Sequence, residues 1–373
     1  MLGRIRQHGF PGQRGPGDIV AQDVLELDGL RRRGDVIGRD VGQDRVLVED
    51  VVQLTLEPAQ LILGQAEAGE IRDVFDVAAR QGGHAPDDSR VSRTPPLRPM
   101  TLADIDQTVA AILADRFGDR RAWFEFAVAN EACHPFVAAA DGEIVGSGVA
   151  TVNGPIAWIG TIWVAPGHRR HGLGTALTDA VVDAAAMAGS RTLVLVATDR
   201  GRPLYERLGF EVQTWYRTFE APGLGPMAGD HGPIDRVRRF QAADLERIGH
   251  LDAIATGEDR RTLLRALTGP DGTRVLEGDD GEVRGFQARA PWGGGATVAP
   301  DVDDALTLLR ARRRASVHDK RVRCGILIEN EAGAEALERD GWTEAWRAPR
   351  LIRGQPMTWH PEQIWGQFNH AVG

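Results

Sequence analysis

The stretch Ile162 to Leu177, reading IWVAPGHRRHGLGTAL, restricts the fold more than any other part of the chain. An apolar strand, Trp158 to Val164, runs into Pro166. Arg169, Gly172 and Gly174 then follow at R-x-x-G-x-G spacing, and an amphipathic helix starts at once. Such a turn aims several backbone N–H groups at one point ahead of a helix N-terminus, the geometry that holds a pyrophosphate. The glycines let backbone approach an anion where a Cβ would stand in the way. Arg169, Arg170 and His171 add side-chain donors. The candidate anion-binding set is therefore Arg169, Arg170, His171, Gly172, Leu173, Gly174 and Thr175.

Three nucleotide-binding loops share these features. A Walker A loop needs a lysine after its last glycine, and Lys320 is the one lysine of the chain. A dinucleotide fingerprint needs a third glycine where this chain has Leu177. The third is the pyrophosphate loop of the GNAT N-acetyltransferases, and this chain resembles that family. The match continues downstream. A strand at Thr192 to Ala197 leads into GRPLYERLGFE, Gly201 to Glu211, which looks like the family's next motif with Tyr205 and the Gly209-Phe210 pair. The resemblance implies acetyl-CoA as co-substrate. It implies backbone pairing of pantetheine with the strand residues Ile162, Trp163 and Val164. It also implies Tyr205 as the acid that protonates the departing thiolate.

Composition narrows the class. With 373 residues, 42% hydrophobic and 26% charged, the chain reads as globular with two or more domains. Neither a signal-peptide pattern nor an apolar run long enough to span a bilayer is found, so the expectation is a cytoplasmic protein with no membrane partner. A net charge of -9 with no dense basic stripe argues against nucleic acid. Cys133 and Cys324 fall in different halves and read as inert thiols. His168 and His171 read as loop residues beside phosphates, and no metal site is expected.

The expected fold class is α/β: two tandem GNAT-like mixed-sheet domains, preceded by a poorly structured N-terminal extension. Residues 1–92 hold none of the nine tryptophans and neither tyrosine, so they offer little to build a core. Three readings stay open for them: a small regulatory or partner-binding domain, a poorly packed low-complexity extension, or a misannotated start with the protein beginning at Val91. Residues 93–220 read as the catalytic α/β unit. Thr101 and Asp104 form a capping box, and Asp141-Gly142 a hairpin turn. Residues 221–232, APGLGPMAGDHG, read as a linker.

In residues 233–373 the same order repeats, with Asp244 offset as Asp104 is and VAPDVDDALTLL in the place of VAPGHRRHGLGTAL. Asp301, Asp303 and Asp304 there would repel a pyrophosphate, so this degenerate GNAT-like domain is expected not to bind CoA. Gly293-Gly294-Gly295 reads as a bent hairpin rather than a phosphate cradle.

The resulting expectation is direct acetyl transfer to a primary amine of a small molecule, by a monomer or homodimer. The alternatives are a CoA-binding sensor and a protein N-acetyltransferase. A simple amine has a pKa near 10.4, so freeing its lone pair at neutral pH costs roughly 4–5 kcal/mol. Glu125, Glu143 and Asp199 are carboxylates in reach by position, and none is assigned as the base. Trp123, Phe124 and Phe126 lie on a helix bordering the expected acceptor groove, where core packing and a pocket wall are equal readings.

Overall fold

The computed structural model describes residues 94–225 and 234–373. The expected N-terminal extension lies outside the described residues, as does the expected linker beyond residue 225. The first half runs β1 (Leu97–Pro99), α1 (Ile105–Ala114), α2 (Arg121–Ala129), β2 (Cys133–Ala140), β3 (Glu143–Asn153) and β4 (Ile156–Val164), then α3 (Leu173–Met187), β5 (Thr192–Val196), α4 (Arg202–Arg207) and β6 (Glu211–Pro222). The β2–β3 hairpin reverses at Asp141-Gly142 with φ of 51° and 84°, as a two-residue turn requires. In α3, Leu173, Leu177, Val181 and Ala185 recur on one face, and all four are buried. That face packs on β3 and β4 and sets the helix N-terminus at the end of β4.

The second half repeats this order. It comprises β7 (Val237–Arg239), α5 (Leu245–Thr256), α6 (Arg261–Leu267), β8 (Thr273–Glu277), β9 (Val283–Arg289) and β10 (Gly295–Val298), then α7 (Val302–Ala315), β11 (Arg321–Leu327), α8 (Glu331–Arg339), β12 (Thr343–Gly354) and a short β13 (Ile364–Gly366). The duplication reaches individual side chains. Arg98 on β1 makes two hydrogen bonds to the Asp104 carboxylate, 2.7 and 2.6 Å, and Thr101 N–H donates to it at 2.8 Å. Arg238 on β7 does the same to Asp244 at 2.8 and 2.9 Å, with Gln241 N–H at 2.7 Å. Each arginine holds its carboxyl below the usual carboxylate range.

The halves are nevertheless not separate bodies. One sheet has the order β1-β2-β3-β4-β5-β12-β6-β11, and the other β13-β10-β9-β8-β7. Strand β12, from the second half, lies between β5 and β6 of the first, pairing Leu351 with Leu195 on one side and Pro349 with Trp215 on the other. In return β6 pairs with β11, Phe219 opposite Cys324. The main core mixes Trp123, Trp158 and Tyr216 with Leu251, Leu263 and Phe368. The expected boundary at residue 220 therefore moves: β6 continues to Pro222, with Ala221 buried opposite Val322. The expected order of elements holds, but the two units share strands.

Candidate active site

Strand β4 makes the opening. It pairs in parallel with β5 only at Ile156, Ala157 and Trp158. Beyond Trp158 the two strands diverge, and residues 159–164 have no strand partner on the β5 side among the described residues. A bulge accompanies the divergence: the β3–β4 register shifts between Ser147 and Val149, and Thr161 takes φ of 54°. Two side chains hold the bulge. Trp123 Nε1 donates to Thr161 Oγ1 at 3.0 Å, and Ser147 Oγ donates to the Thr161 carbonyl at 3.1 Å. Ile162 follows, half-buried, and packs with Tyr205 against one apolar cluster under α3.

At the end of β4 the loop enters α3 through Arg170 (φ 65°) and Gly172 (φ 83°). A residue with a Cβ is strained at that φ, yet a Cβ at Gly172 would meet no atom within 4 Å. The space over the glycine is open. The first hydrogen bond of the helix runs from Ala176 N–H to the Gly172 carbonyl at 3.0 Å, so the N–H groups of Leu173, Gly174 and Thr175 precede it. No side chain caps this end, and no acid lies in its first turn. A Cβ at Gly174 would sit 3.4 Å from Leu204 Cδ2 and 3.8 Å from Val164 Cγ2, so α4 and β4 flank the helix end. These features suit a pyrophosphate.

The loop side chains divide. Arg170 and His171 are exposed beside the helix end. Arg169, expected to face the anion, is turned back onto the body. Its Nε donates to the Val164 carbonyl at 2.9 Å, and its guanidinium pairs with Asp115, which also accepts from Trp163 Nε1 at 2.8 Å. A half-buried carboxylate at the end of α1 needs these partners, so Arg169 braces the loop. The Val164 carbonyl consequently meets any extended ligand with one lone pair already used. Trp163 and Leu173 are buried and offer backbone only.

Tyr205 lies on α4, with its ring edge toward Phe210 at 6.0 Å, and its hydroxyl has no hydrogen bond among the described residues. Burial pushes its phenol well above the usual range. Glu125, Glu143 and Asp199 are all exposed. Trp123 and Phe124 are fully buried, whereas Phe126 stays half-buried, edge-on to Trp292 of the second half at 5.2 Å. The glycine run is a hairpin, as expected: a Cβ at Gly294 would fall 1.8 Å from the Phe368 carbonyl.

The other face of the opening is built by residues far apart in the chain, which no local pattern connects. The tail after β13 crosses β4, and a Cβ on Gly160 would be 2.3 Å from that of Ala371. His370 stacks on Tyr216 at 5.9 Å and meets the Trp346 edge at 5.5 Å. Glu258 reaches across from the second half, accepting from Trp158 Nε1 at 2.9 Å and Asn153 Nδ2 at 2.7 Å.

Burial and the nearby Arg120 guanidinium push His370 down to about 4. An unfolded histidine titrates near 6.5, so between these values the native state binds fewer protons than the unfolded chain. Stability is complete above about pH 6.5 and falls as pH drops toward 4, by about 1–3 kcal/mol. His370→Gln is expected to flatten this slope in melting curves taken between pH 7 and 4.5. An unchanged slope would mean that other groups carry it.

The model of the acetyltransferase (GNAT) family matches residues 102–210, and that of an acetyltransferase (GNAT) domain matches residues 248–366. This chain is a tandem GNAT N-acetyltransferase. Among solved structures, the Pyrococcus horikoshii protein assigned as an acetyltransferase is 20% identical, with a TM-score of 0.62 over 78% of this chain and 100% of its own. A tandem GNAT protein from the clavulanic acid biosynthesis pathway is 15% identical, with a TM-score of 0.47 over 70% of this chain and 99% of its own. A GNAT from Sphaerobacter thermophilus is 17% identical, with a TM-score of 0.48 over 72% and 98%. A search of curated proteins gave no match. No helix among the described residues is long and apolar enough to cross a membrane.

The two GNAT domains differ at the place that matters. In the second domain the helix matching α3 is α7, and its end is already capped: the Asp301 carboxylate accepts from Asp303 and Asp304 N–H at 2.9 and 3.2 Å. Asp304 pairs with Arg236 at 2.8 Å. The edge of β10, which matches the open edge of β4, is covered by β13, with Thr297 opposite Gly366 and Val298 opposite Ile364. Trp365, fully buried, donates from Nε1 to the Ala299 carbonyl at 3.1 Å. The second domain fills both its anion end and its strand gap with its own chain.

Proposed function

We propose that the first GNAT domain transfers the acetyl group of acetyl-CoA directly to a primary amine of a small molecule. The observation that carries this reading is the contrast between the domains: the gap beside β4 and the end of α3 are open, and their counterparts are closed. The N–H groups of Gly172, Leu173, Gly174 and Thr175, with Arg170 and His171, hold the pyrophosphate. Backbone at Ile162 and Val164 pairs with pantetheine along the free edge of β4. Acetyl-CoA as co-substrate supplies the thioester. A β4 N–H beside the bulge stabilises the oxyanion that forms when the amine nitrogen attacks the carbonyl carbon. As the C–N bond forms and the C–S bond breaks, the Tyr205 hydroxyl gives its proton to the thiolate. The proton lost by the amine returns to solvent, and from solvent the phenolate is reprotonated. Desolvation makes Tyr205 hold its proton tightly, so the hydroxyl is neutral and ready to donate when the thiolate departs.

A small acceptor fits the covering of this face by the second domain and tail, with Ala371 over Gly160 and Trp292 beside Trp123 at 5.1 Å. We read the protein as a cytoplasmic enzyme. The test is free thiol release from acetyl-CoA against a panel of amines, with Tyr205→Phe as the control. That variant keeps the ring and its packing. Its acetyl-CoA affinity is expected to stay within a few-fold while kcat falls by roughly 10²-fold or more. Normal turnover by the variant would make Tyr205 a packing residue.

A further inference from the structure

Acetyl transfer by itself asks only that the acceptor be an amine. Arg120 narrows it. This residue immediately precedes α2 and lies three positions before Trp123, the side chain that holds the β4 bulge. It therefore stands about one helical turn from the bulge-holding tryptophan, on the same side of the helix. Its guanidinium lies over the Phe117 ring, 5.5 Å from the centroid. Its one side-chain hydrogen bond among the described residues is NH1 to the neighbouring Asp119 carbonyl, at 3.1 Å. The Asp119 carboxylate itself turns away and accepts from Arg121 N–H at 2.8 Å.

Several arginines around the molecule are neutralised by carboxylates. Arg98, Arg169, Arg217, Arg238 and Arg310 each lie within ion-pair distance of a carboxylate. Arg350, fully buried without an ion pair, hydrogen bonds Gln213 and stacks on Trp359. Arg120 has a ring beneath it and no carboxylate within ion-pair distance among the described residues. Desolvation, partly offset by the neighbouring Asp119 charge, holds its pKa below the ordinary value, so its charge is maintained against a cost. The group beside it, His370, is kept neutral by burial and by Arg120 itself. His370 in turn touches Tyr216 and Trp346, which gives the same recess apolar, planar walls.

A fixed cation beside neutral aromatic walls, next to the bulge where the acetyl carbonyl would lie, suits one kind of amine. We propose that the acceptor is an amine bearing a carboxylate, as an amino acid does, and that Arg120 binds that carboxylate while the amine faces β4. This rests on the proposed acetyl transfer by the first domain. The guanidinium supplies two parallel N–H donors, the geometry that suits a carboxylate, and partial desolvation strengthens the bond. The ammonium of the acceptor must still lose its proton, and a neutral His370 keeps a second positive charge out of the recess.

The experiment uses the full-length enzyme at saturating acetyl-CoA, with thiol release as readout. The probes are matched pairs: L-phenylalanine with L-phenylalaninamide, L-leucine with L-leucinamide, and L-tryptophan with tryptamine. The amides have the more easily deprotonated amines, so without carboxylate recognition they react faster. The wild-type enzyme is expected to prefer the acids in kcat/KM. Arg120→Gln should lower that preference on the order of 10- to 100-fold, mainly through KM of the acids, and Arg120→Lys should recover part of it. Acetyl-CoA affinity, measured by calorimetry, should be the same in wild type and Arg120→Gln. Equal or better use of the neutral amines by wild type, failure to use any of the acids, or an acid preference that survives Arg120→Gln would each overturn the proposal. Absence of acetyl-CoA binding by the wild type would instead strike the proposed transfer reaction, so the two failures are told apart.

Discussion

A chain cut at the linker is expected not to fold as two working halves. Residues 94–225 alone should show no cooperative melting and no acetyl-CoA binding. The reason is β12. Without it β5 has an unpaired edge, and β6, which also loses β11, has no partner on either side. Leu351, fully buried in the cluster under α3 with Val181, Leu195 and Phe210, leaves a hole in the layer that carries Tyr205. The other fragment loses β6 from beside β11, where seven residues of each strand are paired from Arg321 to Leu327. Co-expression of 94–225 with 234–373 should restore both melting and binding, because each fragment brings the strand that the other lacks. Cooperative unfolding of the first fragment alone, with native acetyl-CoA affinity, would show that β12 is dispensable. Separate folding of 93–220 is what the linker-like composition after residue 220 suggests, and the interlocked strands oppose it.

Gly172→Glu is expected to abolish acetyl-CoA binding, with a loss of at least ~10²-fold, in a protein that still folds. Backbone strain at φ of 83° costs a non-glycine residue about 1–2 kcal/mol. A Cβ meets nothing there, so no clash adds to this. A carboxylate at a helix N-terminus returns about 0.3–1 kcal/mol, so the net cost to folding is small. The ligand, by contrast, meets a filled cradle and a repelling charge in place of free N–H groups. The second domain already has this arrangement, with Asp301 over the start of α7. Gly172→Ala serves as the control: it carries the strain without the charge, and its affinity should lie between. Calorimetry with melting curves on each variant separates loss of binding from loss of fold. Unchanged affinity in folded Gly172→Glu would move the pyrophosphate site elsewhere.

Several features of this protein are legible in its residues. The hairpin at Asp141-Gly142, the buried face of α3, the glycine turn before it and the capping aspartates Asp104 and Asp244 all arise from contacts within a few residues. Such contacts depend on side-chain period, on φ and on short hydrogen-bonding spans, which a linear sequence records directly. The acidic residues at the start of α7 are equally local, and in the structure Asp301 caps that helix, a contact beyond the charge repulsion expected of them.

The tertiary structure alone decides which strands pair and which distant side chains share the opening. Every strand edge presents the same backbone N–H and C=O groups, so nothing local to β12 states that it inserts between β5 and β6 rather than beside β11. The turning of Arg169 onto Asp115 depends on where α1 ends, over fifty residues earlier. Glu258 lies over one hundred residues from Asn153, and the tail residue His370 comes to Tyr216 and Arg120 only after the whole chain has packed. Sequence determined the glycine turn before α3, because that turn is a local shape. Packing decided the acceptor face, because it is assembled from both domains and the tail, and no short pattern spans that distance.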